Sequence, residues 1–212
     1  MAHELEDFEK EQQVKEWLRS NIPLILTGVV GGLLLAFGWT KYQEGQQSYL
    51  GQAASLYSEI METEATEARQ LAAKTLREEY ADTPYAAVAA LEVARQSVNR
   101  DDDLSAAAEE LQWVQKEARE GAVRHLAGIR LARIQLASGD AASAMATLDA
   151  MGEAVGFAGL IAHVRGDAEL AMGNVDAAIA AYQQALLDEN ASAGPMRGMI
   201  EMKLNDLGAE AS

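Results

Sequence analysis

Proton transfer and metal binding need histidines or carboxylates held within reach of one another, and this 212-residue chain offers His3, His125, His163 and the acidic pairs Glu78-Glu79 and Glu109-Glu110. The histidines are far apart in sequence, and none belongs to a zincin-type motif. Gly31-Gly32 lies inside an apolar run rather than ahead of a basic helix start, so it makes no phosphate loop. Cysteine is absent, which excludes disulfides, thiolate metal sites and a cysteine nucleophile. The acidic pairs sit in helix-forming sequence and read as surface charge. The sequence therefore predicts no catalytic residue, no metal site and no cofactor, and a lone histidine such as His163 reads as structural or solvated.

What must position any working residue is a set of helices. Ala, Leu, Glu and Gln dominate while aromatic residues are few, a composition of good helix formers that predicts an all-α chain. Two large domains do not fit in this length. The formal charge is −16, and residues 41–212 hold 27 acidic side chains against 14 Lys and Arg. That surface repels phosphate backbones, so nucleic acid is excluded as a partner.

From Ser20 to Thr40 no side chain is charged. Between Ile22 and Trp39 ten residues are Leu, Ile, Val or Phe, together contributing about −3 to −6 kcal/mol of insertion free energy. Some 20 such residues cross the ~30 Å hydrocarbon layer. Trp17 precedes the run while Trp39 and Tyr42 close it, matching the two membrane interfaces. Pro23 is expected in the first turn of the helix, where its missing N–H is harmless. A buried core helix would show a polar face, and a cleaved signal peptide would start short and basic rather than with a mixed acidic tail of some 20 residues. The run therefore predicts a retained transmembrane helix, 21–42, in contact with membrane lipid. Lys10, Lys15 and Arg19 before it, against Lys41 alone just after it, put the 1–20 tail in the cytoplasm. In a bacterium with two membranes the 43–212 domain then faces the periplasm. Gly28, Gly32 and Ala36 recur every fourth residue and form a smooth stripe on which another transmembrane helix could pack.

The last third repeats itself. Aligning Leu131–Leu148 with Arg165–Tyr182 puts Gly139 on Gly173, Asp140 on Asn174, Ala144 on Ala178 and Leu148 on Tyr182, all 34 residues apart. That is the period of a tetratricopeptide repeat (TPR). The glycine supplies a left-handed residue after the first helix of each pair, and Asp140 or Asn174 an N-cap oxygen for the second. Gly166, Ala178 and Ala185 are small residues where backbones cross, with Tyr182 filling the space beside them. Upstream the pattern loosens. Pro84 opens a helix to about Val98, Asp101-Asp102-Asp103 caps the next, and Ser48–Met61 with Glu67–Tyr80 read as an earlier pair. Pro195 opens a last helix, with Met196, Ile200, Leu204 and Leu207 on one face, that caps the stack. The prediction is a TPR-like helical-hairpin solenoid of about three pairs. Its first helices line a concave face, which makes Leu126, Ile129, Arg133, His163, Asp167 and Leu170 candidates for partner contact; for the apolar ones, packing between repeats competes.

Acidic tail, early span and solenoid come together with Leu91-Glu-Val-Ala-Arg95, Leu131-Ala-Arg-Ile134, Leu148-Asp149, Arg165-Gly166-Asp167 and Met202-Lys-Leu-Asn-Asp-Leu207. In these the chain resembles, over nearly its whole length, the YfgM family of ancillary subunits of the SecYEG translocon. The resemblance implies a non-catalytic inner-membrane protein, N-terminus inside. Its periplasmic TPR-like domain would work beside the translocon with a membrane-anchored chaperone of the prolyl-isomerase type, handing exported client proteins to periplasmic chaperones. A scaffold coordinating envelope assembly or division without touching the translocon is the alternative.

Overall fold

The computed structural model describes residues 2–152, 154–188 and 195–209, and side chains from residue 14 onward except 16 and 25; the side chain of His3 lies outside this set. Within it the secondary structure is helical, with no strand: α1 (Ala2–Glu62), α2 (Thr66–Glu79), α3 (Pro84–Asn99), α4 (Leu104–Glu117), α5 (Gly121–Ala137), α6 (Ala141–Asp149), α7 (Ala158–Ala171), α8 (Val175–Leu186) and α9 (Pro195–Asp206). The chain divides into two compact units, residues 1–51 and 52–212.

The first unit is α1 as far as Gly51. The expected tail, span and first solenoid helix form one continuous helix, because Glu, Gln, Lys and Leu flank the apolar run on both sides and favour helix. Pro23 therefore lies in the helix interior, not in a first turn, and its ring removes the donor that would bond the Arg19 carbonyl. Thr27 and Thr40 satisfy their own hydroxyls by donating to the Pro23 and Ala36 carbonyls at 2.8 and 2.9 Å, which suits an environment without water. The most apolar 18-residue window has a mean hydropathy of 2.0 and none of it is buried. Leu24, Leu33, Leu34, Leu35 and Phe37 stand exposed, unlike a core helix of a soluble protein. A Cβ on Gly28 or Gly32 would meet nothing within 4 Å, and Ala36 is exposed, so the small-residue stripe is open.

The second unit stacks the pairs α3/α4, α5/α6 and α7/α8, with residues 52–62 and α2 before them and α9 after. Its core explains why a lone pair would not fold. Leu111 and Val114 of α4 pack with Ala90 and Ala94 of α3 and with Leu131 of the following α5. Ala144 and Leu148 of α6 pack with Ile129 of α5 and with Val164 and Ala168 of the following α7. Tyr182 and Ala185 of α8 pack with Ala162 of α7 and with Ile200 and Leu204 of α9. Each of these three clusters thus borrows the helix that follows its pair, α5, α7 and α9 in turn.

Local geometry follows the repeat. Gly139 and Gly173 have φ of +81° and +83°. In both turns the glycine N–H and the one after it bond back to the preceding helix, Gly139 to Leu136 and Asp140 to Gln135, Gly173 to Leu170 and Asn174 to Glu169, the Schellman pattern. Gly166 leaves room for the Tyr182 ring, since a Cβ there would sit 2.4 Å from it and force it to shift. The caps differ from expectation. Asp140 accepts from the Ser143 N–H at 2.9 Å, but Asn174 turns away and donates from Nδ2 to Glu169. Of the three aspartates before α4 only Asp103 caps, accepting from Ala106, while Asp102 takes a φ of +52° and Asp101 faces Arg69.

Candidate partner-binding clefts

Two clefts open along the first helices of the pairs. The larger, about 550 Å³, is walled by Arg133, Leu136 and Ala137 of α5, His163 and Asp167 of α7, and Met199 and Lys203 of α9. The smaller, about 290 Å³, is walled by Leu91, Ala94, Arg95, Val98 and Asn99 of α3, Leu111 of α4, and Arg130, Arg133 and Ile134 of α5. Arg133 belongs to both.

The floor of the larger cleft is a polar cluster centred on Asp167. One carboxylate oxygen accepts from the Tyr182 hydroxyl at 2.6 Å and from the Lys203 ammonium. Lys203 also lies 5.4 Å from the Tyr182 ring centroid, a cation–π distance. Burial pushes the Tyr182 phenol up, and its hydrogen bond to Asp167 adds to the shift, so it stays protonated and donating. His163, 3% exposed, places Nε2 3.1 Å from Lys203 Nζ. An ammonium only donates, so Nε2 accepts and the ring proton sits on Nδ1. That Nδ1 is buried with no partner. Burial pushes His163 down, Asp167 opposes, and Lys203 and Arg133 push it further down, which keeps the ring neutral.

The structure brings together Arg133, His163 and Asp167 of the six residues expected on the partner face. Ile129 lies in the α5–α6–α7 core at 1% exposure, Leu126 is half-buried, and Leu170 is partly exposed outside the cleft walls. Sequence reasoning missed Lys203 and Met199, because α9 reads only as a cap, and it missed Arg130. One signal was available: α5 has no acidic residue yet carries Arg124, Arg130 and Arg133 in a chain of charge −16. Elsewhere, His125 packs edge-on against Phe157 at 5.9 Å. Glu110, expected at the surface, is buried and paired with Arg77 at 2.8 Å. Burial pushes its carboxyl up to about 7, Arg77 pulling back only in part and Glu109 adding to the rise. Among the described residues no group of three His, Asp or Glu could hold a metal ion. What the clefts offer is recognition: apolar walls and guanidinium groups.

The chain is 29% identical to the ancillary SecYEG translocon subunit of Escherichia coli over 92% of this chain and 94% of that protein. It is 26% identical to the protein of the same name from Haemophilus influenzae over 98% of this chain and the whole of the relative. No solved structure matches. The sequence profile of the tetratricopeptide repeat-like domain matches residues 15–209, which cover the borrowed-helix stack and both clefts, and the chain belongs to that family.

Proposed function

We propose that this chain is an ancillary subunit of the SecYEG protein translocon, a membrane-anchored TPR-like module that binds proteins and catalyses no reaction. The observation that carries this reading is full-length similarity to relatives of that name in a chain whose exposed α1 run is long enough to span a bilayer. In this reading residues 1–20 are cytoplasmic, 21–42 cross the inner membrane, and 43–212 lie in the periplasm. The positive-inside asymmetry of Lys10, Lys15 and Arg19 supports that orientation. The face carrying Arg133, His163 and Asp167 engages a membrane-anchored chaperone of the prolyl-isomerase type and helps hand over exported proteins. The open stripe of Gly28, Gly32 and Ala36 packs against a membrane helix of a partner.

Affinity purification of the full chain from detergent-solubilised membranes tests this. Translocon subunits and the chaperone are expected to co-purify, with a photocrosslinker at Leu136 capturing one of them. Recovery of envelope-assembly proteins without the translocon would replace the reading by that of a scaffold. Unchanged co-purification after Gly28→Leu with Gly32→Leu would remove the packing role of the stripe.

A further inference from the structure

We infer that the two clefts form one docking groove for an extended polypeptide segment that carries carboxylates beside apolar side chains. This rests on the proposed reading of the domain as a protein-binding module and names the chemistry of what it binds. In a strongly acidic chain most cations find carboxylates: Arg69 pairs with Asp101, Arg77 with Glu110, Arg95 with Glu92, Arg165 with Asp149 and Arg197 with Glu201. Helix α5 departs from this. Arg124 donates to the Ala118 and Arg119 carbonyls at 2.7 and 2.9 Å, but Arg130 and Arg133 make no ion pair or hydrogen bond among the described residues.

Both free guanidinium groups stand on cleft walls, and Arg133 is shared by the two clefts, so a single strand crossing it reaches both. A guanidinium takes a carboxylate through two parallel hydrogen bonds, which fixes an occupant's position as well as its charge. The walls beside them are Leu91, Val98 and Ile134 on one side and Leu136 and Met199 on the other, which suit apolar side chains. A nucleic acid would carry a charge at every phosphate past the 27 acidic side chains of residues 41–212, whereas a peptide can place single carboxylates at the two guanidinium groups. A bilayer surface would meet an exposed amphipathic helix face rather than a recess between helices.

The test uses the full-length protein in nanodiscs of zwitterionic lipid and fluorescein-labelled 12-residue peptides of alternating Leu and Glu, with Gln and Lys counterparts, read by anisotropy. The Glu peptide is expected to bind about tenfold or more tightly than the Gln peptide, with affinity falling as salt rises. Arg130→Glu with Arg133→Glu should abolish that preference and transfer it to the Lys peptide, a gain that an unfolded variant would not show. Equal binding of Glu and Gln peptides overturns the inference while leaving the module's protein-binding role intact. So does a charge preference that survives the double reversal, or displacement of the peptide by phosphatidylglycerol vesicles. Absence of peptide binding alongside successful crosslinking from Leu136 also sinks the inference alone, whereas failure of translocon co-purification sinks the proposed function instead.

Discussion

The second unit handles buried charge in opposite ways at its two ends. Between α2 and α4, ions meet ions directly: Arg69, 1% exposed, reaches Asp101 at 2.5 Å, and Arg77 reaches Glu110. Between α7 and α9 a single carboxylate, Asp167, is shared by a phenol and an ammonium beside a neutral imidazole. The first arrangement leaves groups short of partners, with two Arg69 nitrogens and Glu110 Oε2 unsatisfied. The second satisfies the charge and leaves only a neutral donor over. Glu110, with one ionic partner in a dry site, is only partly compensated, whereas Asp167, with two donors of different kinds, is better so.

The two ends should therefore respond oppositely to acid. Glu110 holds its proton more tightly folded than unfolded, so its contribution to stability is fullest below pH 4.5 and is lost as pH rises through about 7. His163 is held below its ordinary value. Its contribution is present above pH 6.5 and is lost as pH falls through its folded-state value.

Breaking the N-terminal arrangement should have the largest effect. Asp101→Ala strands the buried Arg69 and is expected to cost about 3 kcal/mol, seen as a lower Tm in thermal unfolding of the full chain in detergent; a loss under about 1 kcal/mol would mean the pair is not what holds α2 to the α3–α4 turn. At the other end Gly166→Ala should cost about 2 kcal/mol by overpacking against the Tyr182 ring, and adding Tyr182→Leu should recover part of it. Failure of that rescue would show that the ring is not the obstacle.

A finer test separates the pH responses. Glu110→Gln should stabilise by about 2 kcal/mol at pH 8 and hardly at all at pH 4.5, flattening the dependence of Tm on pH and exposing the acid sensitivity of His163. An unchanged pH profile would place the titration elsewhere. The smallest effect distinguishes the two repeats themselves. Asp140→Ala should lower Tm detectably by removing the cap to Ser143, whereas Asn174→Ala, which removes no cap, should leave it nearly unchanged.

These features differ in how plainly the sequence announces them. The Gly139 and Gly173 turns, the Gly166–Tyr182 contact and the apolar run of α1 are legible because each is local or recurs at a fixed period, so residue type and spacing alone carry them. The Arg69–Asp101 bridge joins residues 32 apart through non-repeating sequence, and its aspartate hides in a triplet that reads wholly as a cap. Glu110 looks like any exposed acid until α2 covers it with Arg77. Of the cleft, Arg133, His163 and Asp167 lie on helices the repeat predicts; Lys203 comes from a helix whose sequence has left the repeat, so only three-dimensional packing puts it there.

Helix α9 seals the last core with Ile200 and Leu204 and also supplies Met199 and Lys203 to the larger cleft. Its detachment therefore unfastens the end of the chain and dismantles the cleft in one event. Any occupant that grips Lys203 raises the free energy of that opening by RT ln(1 + [L]/Kd), so the amide protons of α9 should exchange more slowly as the cleft fills, and proteases should cut within α9 less readily.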